Sequence, residues 1–172
     1  MEARAGSRTL GGLAVALAVV LAVVLAVLLV GIGLTISGWS SADDELTDRQ
    51  HEVAAAAREE AVAFLTVDHR DMEPLVEAVL AGATGEFRDQ YASQRERLTS
   101  EAERTEAVST GEVVALGVGD LDADSATVLV AANSRVSNTG TDPGGELRYY
   151  RLRLELVRDG DRWLTSGLEF VR

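Results

Sequence analysis

The chain has 172 residues, no lysine, no cysteine, two histidines and a formal net charge of −12 at pH 7. Without lysine it can form neither a P-loop phosphate site nor a Schiff base, and without cysteine it has no disulfide, thiolate nucleophile or cysteine-ligated zinc. Such an acidic chain repels nucleic acid, so nucleic-acid binding is not expected. We expect no cofactor and no metal site.

Residues 10–34 form an unbroken apolar run of 25 positions. As an α-helix this run would extend about 37 Å, which exceeds the hydrocarbon core of a bilayer, about 30 Å thick. Lipid offers no partners to backbone N–H and C=O groups. We therefore expect a transmembrane helix over residues 10–34, after a short N-terminus (1–9) and before a linker (35–41).

The charges that flank this run predict its orientation. Arg4 and Arg8 precede it, and four acidic residues follow it before the next cation, Arg49. Since positive charge near a span stays in the cytoplasm, we expect a single-pass plasma-membrane protein with a cytoplasmic N-terminus and an extracytoplasmic domain over 42–172. The alternative is a cleaved signal peptide ending near Ser40 and Ala42, although its apolar core would far exceed the usual length of about 7–15 residues.

Four alanines recur at every fourth position of the run and would share one face of the predicted helix: Ala14, Ala18, Ala22 and Ala26. Small side chains let a second helix approach closely, so this face is a candidate packing seam for a partner in the membrane. The alternative is chance spacing in an alanine-rich span, because no GxxxG motif and no polar residue strengthens the seam.

Three helices are predicted after the apolar run. Residues 42–68 repeat apolar side chains at spacings of three and four, with charged residues between them. A second helix is predicted over 72–81, with Asp71 as its N-terminal cap, and a third over 86–105.

Four strands are predicted after the helices, over 113–118, 126–136, 147–158 and 162–171. The third has the clearest period of two, since leucines at even positions alternate with charged residues. Asp159-Gly160 is typical of a tight hairpin, and Gly167 indicates a bulge. Helices followed by strands predict an α+β fold, with about three helices packed on a curved four-stranded antiparallel sheet.

Several short motifs occur in a recognisable order: Phe64-Leu65-Thr66-Val67-Asp68, Thr84-Gly85-Glu86-Phe87 with Tyr91, Val128-Leu129-Val130, Val136 with Asn138, Tyr149-Tyr150-Arg151-Leu152, and Trp163-Leu164. Together with the N-terminal span they resemble the Mce-associated membrane proteins of actinobacteria. The outer domain of that family is of the nuclear transport factor 2-like (cystatin-like) kind, and it is similar to the periplasmic domain of VirB-type assembly factors.

The resemblance implies a non-enzymatic accessory or scaffold subunit of an Mce-type lipid or sterol import system in the cell envelope. Its partners would be Mce transporter subunits or a paralogous accessory protein. The resemblance brings no catalytic residues with it. Two alternatives remain open: a lipid-binding carrier domain with an apolar pocket, and a VirB-type assembly factor of a secretion complex.

Helical domains that cover a curved sheet often enclose a conical pocket, and four aromatic residues are candidates to line one here: Tyr91, Tyr150, Trp163 and Phe170. The predicted inward faces carry few polar groups, so the expected guest is an acyl chain or a sterol. The alternative is that these aromatic side chains form ordinary core. An acidic residue opposite a tyrosine in an open pocket would instead indicate an enzyme.

Two groups of charged residues are further candidates for a functional site. Asp68 and His69 are interpreted as a polar junction between two helices, because neighbouring helical side chains point about 100° apart and make a poor dyad. Three arginines, which fit the docking of an acidic partner, are predicted to cluster on the exposed sheet face: Arg135, Arg151 and Arg153. They fit equally well as members of cross-strand pairs with Glu155 and Glu169.

Overall fold

The computed structural model of the protein describes residues 46–141 and 144–172. The chain divides into two compact units, Met1–Thr47 and Asp48–Arg172, and the second holds the α+β domain. The predicted N-terminus, transmembrane helix and linker lie outside the described residues, and so does the alanine seam. Within the described ranges, no helix is both long enough and apolar enough to cross a bilayer.

Four helices occur in the described part of the chain, where the sequence predicts about three. They are α1 (46–65), α2 (Met72–Gly82), α3 (Gly85–Ser93) and α4 (Arg95–Thr105). The predicted helix over 86–105 is interrupted at Gln94, whose φ of −98° and ψ of 0° depart from helical values. The prediction of one continuous helix is wrong, because the tight turn at Gln94 carries no glycine or proline to reveal it.

Five strands form one antiparallel sheet, in which each strand pairs with the next along the chain. They are β1 (Val67–Asp68), β2 (Val108–Leu121), β3 (Ser125–Ser137), β4 (Glu146–Asp159) and β5 (Arg162–Phe170). The prediction of four strands is wrong because β1 has only two residues, which are too few to show a period. Strand β1 pairs with Val108 and Ser109 at the start of β2.

Helix α1 packs on one face of this sheet and forms the main core with it. Its buried residues recur at spacings of four and meet the inward side chains of β3 and β4: Val53, Ala57, Ala61 and Leu65 against Val128, Val130, Leu152 and Leu154. The alternation predicted for β4 is confirmed, since Leu152 and Leu154 are fully buried and Tyr149 is 76% exposed. Each buried leucine contributes about 1.5–3 kcal/mol to folding.

A smaller core joins α2 to α4 through Met72, Val76, Leu80 and Ala102. On its outer side, Arg95 of α4 forms ion pairs with Glu73 and Glu77 of α2. Asp71 occupies the N-cap position of α2, but its side chain makes no hydrogen bond to the helix, so its predicted capping role is wrong.

Bulges bend both long edges of the sheet. The bulge predicted at Gly167 is confirmed, because Glu155 pairs with Gly167 and Leu156 with Thr165, which leaves Ser166 unpaired. On β2 a second register shift leaves Val114 without a partner. Such bulges make an edge strand harder for another chain to extend.

The end of α1 is fixed to the sheet by a close approach and a buried hydrogen bond. A Cβ at Gly111 would lie 2.7 Å from the Leu65 Cβ, so only glycine fits there without a shift. Beside it, the Ser109 hydroxyl donates to the Leu65 carbonyl at 2.7 Å and contacts the Ser134 hydroxyl at 2.5 Å. This anchor sets which sheet face α1 covers and which face it leaves exposed.

Candidate functional site

The face of the sheet that points away from α1 carries a row of exposed apolar side chains. Leu129 is 53% exposed, Leu147 is 41% exposed and Tyr149 is 76% exposed. Because side chains alternate along a strand, these residues share the outer face of β3 and β4. An exposed apolar patch of this kind marks a protein–protein or ligand contact surface.

Strand register brings small and basic side chains together at the centre of this outer face. Ala131 of β3 pairs with Ala115 of β2 and with Arg151 of β4, and the Val171 N–H donates to the Arg151 carbonyl at 2.9 Å. One step along the strands, Leu129 pairs with Gly117 and Arg153. Two parallel rows of side chains therefore cross the sheet here.

A shallow groove of about 250 Å³ lies over these two rows. Its floor is made by small residues, Ala115, Gly117 and Ala131, and its sides by Leu129, Val171 and the Arg151 stem. The lining is apolar except for the guanidinium group. We call this surface the outer-face groove.

The three predicted arginines all lie on this face, but at different distances from the groove. Arg151 lines it and has no hydrogen bond or ion pair from its side chain to any described residue. Arg153 is one same-face step away along β4, about 7 Å, and forms an ion pair with Glu155 at 3.1 Å. Arg135 lies two rows from Arg151 on the side away from Arg153; it is opposite Leu147 and donates to the Gly144 carbonyl at 3.3 Å.

Three of the four predicted pocket residues belong to one aromatic cluster. Tyr91, Tyr150 and Phe170 are joined through Phe64, with ring centroids 5.9–6.1 Å apart in neighbouring pairs. Tilted rings at this spacing are a favourable packing arrangement. The role of these residues in lining a lipid pocket stays a prediction.

The fourth residue, Trp163, makes no ring contact with that cluster among the described residues and lines a cleft between α1, α2 and β5, which Glu60 also lines. Burial chiefly raises the pKa of Glu60 to about 8, and the charge of neighbouring Glu59 adds to the effect. Burial, and then the charge on Glu60, raise the pKa of Tyr91.

The Asp68–His69 segment lies between α1 and α2 as predicted, but it is not helical: α1 ends at residue 65 instead of near 68, and Asp68 belongs to β1 and pairs with Val108. The Arg70 guanidinium donates to the Asp68 carboxylate at 2.5 Å and 2.8 Å, which lowers the pKa of Asp68 to about 2. The His69 N–H donates to the Ala107 carbonyl at 2.9 Å. Among the residues with described positions, no group of three or more histidine, cysteine or acidic side chains could hold a metal ion.

Sequence reasoning missed two features of these sites. Its charged neighbours in Arg58-Glu59-Glu60 suggest that Glu60 is exposed at the surface. However, Glu60 lies three positions after Ala57 and seven after Val53, which places it on the buried face of α1. Leu129 falls on the polar side of the alternation in β3, and an apolar residue at such a position was the available signal for a contact surface.

Solved structures share this fold at low sequence identity. An IcmL-like type IV secretion system protein from Legionella pneumophila has a TM-score of 0.58 and 10% identity, covering 71% of this chain and 91% of that one. CagV, a VirB8 homolog of the type IV secretion system from Helicobacter pylori strain 26695, has a TM-score of 0.54 and 2% identity, covering 68% and 94%. These likenesses show that the chain shares the fold of those two proteins.

A relative with clear sequence similarity is the "Uncharacterized protein Rv1363c" of Mycobacterium tuberculosis (strain ATCC 25618 / H37Rv), which is 33% identical over 130 residues. The match covers 74% of this chain and 49% of the relative, so the chain spans about half the length of that protein. The family model described as "Uncharacterized protein Rv1363c/MT1408-like" matches residues 13–172. The chain therefore belongs to the Rv1363c/MT1408-like family.

Proposed function

We propose that the domain is a non-enzymatic docking module of a multi-protein complex in the cell envelope, of the assembly-factor type. The observation that carries this proposal is the outer-face groove, an exposed apolar surface bordered by Arg151, whose guanidinium has no partner among the described residues. In this proposal residues 10–34 anchor the module in the plasma membrane, and the domain lies outside the cytoplasm.

The composition of the groove supports docking. Protein interfaces are enriched in tyrosine and arginine and depleted in other charged residues at their centre. Tyr149 stands beside the groove as a large exposed side chain, and Leu129 offers an apolar contact at its wall. An arginine without a partner can form a charge-assisted hydrogen bond to a carboxylate at little cost in competing interactions.

The same features indicate the chemistry of the partner. The floor of small residues would accept one apolar side chain from the partner, and Arg151 and Arg153 would pair with acidic groups beside it. The ion pair between Arg153 and Glu155 is exposed at the surface, so breaking it costs only about 0–1 kcal/mol. An acidic and apolar partner surface therefore fits better than a basic one.

The fold is consistent with an assembly role, because two solved proteins that share it are components of type IV secretion systems. The resemblance to Mce-associated proteins suggests a different envelope complex, a lipid or sterol importer, in which the module would serve as an accessory subunit. Both complexes use a docking module, and the identity of the docked subunit distinguishes them.

The test is quantitative co-purification of the tagged full chain from its own host, with and without the double substitution Arg151→Ser/Arg153→Ser. We expect envelope-complex subunits to be recovered with the unaltered chain and to fall at least fivefold with the double variant. Arg97→Ser/Arg104→Ser, which removes two exposed arginines from α4, is the matched control and should recover the same subunits. Equal recovery with both double variants would contradict docking at the groove.

A further inference from the structure

A cleft on the helix-covered side of the domain is separate from the outer-face groove. It has a volume of about 350 Å³ and lies between α1, α2 and β5. Cavities that hold small molecules measure about 300–1,000 Å³, so this one is of a size for a small ligand. Half of its ten lining residues are alanine or glycine, whose size leaves the space open: Ala56, Ala63, Ala78, Ala81 and Gly82.

Two polar side chains in this wall lack partners. Glu60 is 2% exposed and Trp163 is 6% exposed. The Oε1 atom of Glu60 and the Nε1 atom of Trp163 are both buried without a hydrogen bond to any described residue. Nearly all buried polar groups in proteins are paired, so two orphaned groups in one cleft require an explanation.

The position of the Glu60 carboxyl group depends on a glycine. A Cβ at Gly82 would lie 2.0 Å from Oε2 of Glu60, so the carboxyl group occupies the space that any other residue would fill. Gly82 itself lines the cleft, which places the carboxyl group at the cleft wall. Rotation about χ3 of glutamate has a broad minimum, so either oxygen can turn toward a ligand.

We propose that this cleft binds a small neutral molecule through a carbonyl oxygen, which accepts one hydrogen bond from the protonated Glu60 carboxyl group and one from the Trp163 indole N–H. The ligand's remaining atoms would be apolar and would lie against the alanine walls. This inference is independent of the docking function, because it uses different residues on the opposite side of the sheet.

The charges around the cleft favour a neutral acceptor. With a pKa of about 8, Glu60 keeps its proton at neutral pH and can donate, and an indole N–H can only donate. Glu59 on α1 would repel an anion. Arg162 on β5 also lines the cleft; it donates one N–H to the Ala81 carbonyl at 3.3 Å, and its positive charge offsets the negative charge of Glu59. Tyr91 on α3, whose pKa is raised, stays neutral.

The test uses three ring compounds that differ in their polar group: cyclohexanone, cyclohexylammonium and methylcyclohexane. The full chain is prepared in detergent with Trp39→Phe, so that Trp163 gives the single indole N–H resonance in a ¹H–¹⁵N spectrum. We expect cyclohexanone to shift this resonance saturably and the other two probes to leave it unchanged. Glu60→Ala is measured in the same detergent, so that partitioning of the probe into the micelle is the same in both samples. This substitution should abolish the shift of the Trp163 resonance by cyclohexanone.

The pH dependence of the affinity and a conservative variant test the role of the proton. The cyclohexanone affinity should fall about tenfold between pH 7 and pH 9, as Glu60 loses its proton. Glu60→Gln retains a donor, so it should bind at both pH values and remain informative if Glu60→Ala does not fold. Glu52→Gln, which removes an exposed carboxylate of α1 that does not line the cleft, is the matched control and should behave like the unaltered chain.

Three results would overturn the proposal. One is a cyclohexanone shift of equal size in Glu60→Ala. Another is tighter binding of cyclohexylammonium than of cyclohexanone, increasing toward pH 9, which would indicate a cation site. The last is no shift of the Trp163 resonance by cyclohexanone up to its solubility limit.

Discussion

The Glu60 carboxyl group lies where a side chain at position 82 would begin, because a Cβ on Gly82 would be 2.0 Å from the Glu60 Oε2 atom. The last turn of α2 is therefore built around a carboxyl group that α1 supplies. Neither residue can change size without affecting the other, and this coupling leads to the first prediction.

We predict that Gly82→Ala destabilises the domain by about 1 kcal/mol, at the low end for overpacking, because the atom it meets is the end of the Glu60 side chain, which can move aside. In a Glu60→Ala background the same substitution should cost much less, because the space is vacant. A double-mutant cycle measured by urea unfolding gives the interaction energy, and we expect about 1 kcal/mol. Additive effects of the two substitutions would show that the close approach is absent.

A second prediction concerns the pH dependence of stability. The pKa of Glu60 is about 8 in the folded protein and 4.5 as its ordinary value. Between these values the folded state holds a proton that the unfolded state has lost, so this group's contribution to stability falls as the pH rises. The slope is about −1.4 kcal/mol per pH unit, and the contribution levels off above pH 8.

Glu60→Gln cannot titrate and should lack this slope. The free energy of unfolding of this variant minus that of the unaltered chain should therefore increase between pH 5.5 and pH 7.5. Urea titrations followed by Trp163 fluorescence, in a Trp39→Phe background, measure this difference. Glu52→Gln, at an exposed position of α1, should keep the slope of the unaltered chain, and a slope that persists in Glu60→Gln would assign it to another group.

The third prediction tests the anchor between α1 and β2. Gly111→Ala should destabilise the domain by about 1–3 kcal/mol, because its Cβ would lie 2.7 Å from the Leu65 Cβ and 3.2 Å from the Val62 carbonyl oxygen. Neither neighbour is the tip of a flexible side chain. Gly117→Ala is the control, since a Cβ there meets nothing within 4 Å. Equal thermal midpoints for the two variants would contradict the close approach.

The sequence predicts most of the elements that bury a periodic face. The alternation of Leu152, Leu154 and Leu156 predicts β4 and its buried side, because an amphipathic strand repeats every second residue. For β2 the sequence predicts only residues 113–118 of Val108–Leu121, because polar residues and glycines on either side of this run hide the period although the backbone stays paired. The break at Gln94 also leaves no trace in composition.

The sites are harder to predict because they depend on pairings between strands and between helices. Alternation along β4 places Arg151 on the exposed face, but only the register with Ala131 and Ala115 shows that the arginine borders an apolar groove. Likewise Glu60 carries a charge that suggests solvent, and only the packing of α1 against Gly82 shows that its carboxyl group is buried.

The fourth prediction separates docking from stability. Arg151→Ser/Arg153→Ser should change the free energy of unfolding by less than about 1 kcal/mol, since Arg151 pairs with none of the described residues and Arg153 forms an exposed ion pair. Urea unfolding of the double variant and of the unaltered chain measures this change. A larger loss of unfolding free energy would mean that reduced recovery of the partner results from misfolding of the variant.

The most direct test of the docking function is site-specific photocrosslinking in membranes of the native host. A benzophenone side chain placed at Leu129, on the wall of the groove, should form an adduct with a second polypeptide of the envelope complex. The same group at Arg97 on α4 should form none, and Arg151→Ser/Arg153→Ser should remove the Leu129 adduct. An adduct that forms equally at Arg97, or no adduct at Leu129, would contradict the account.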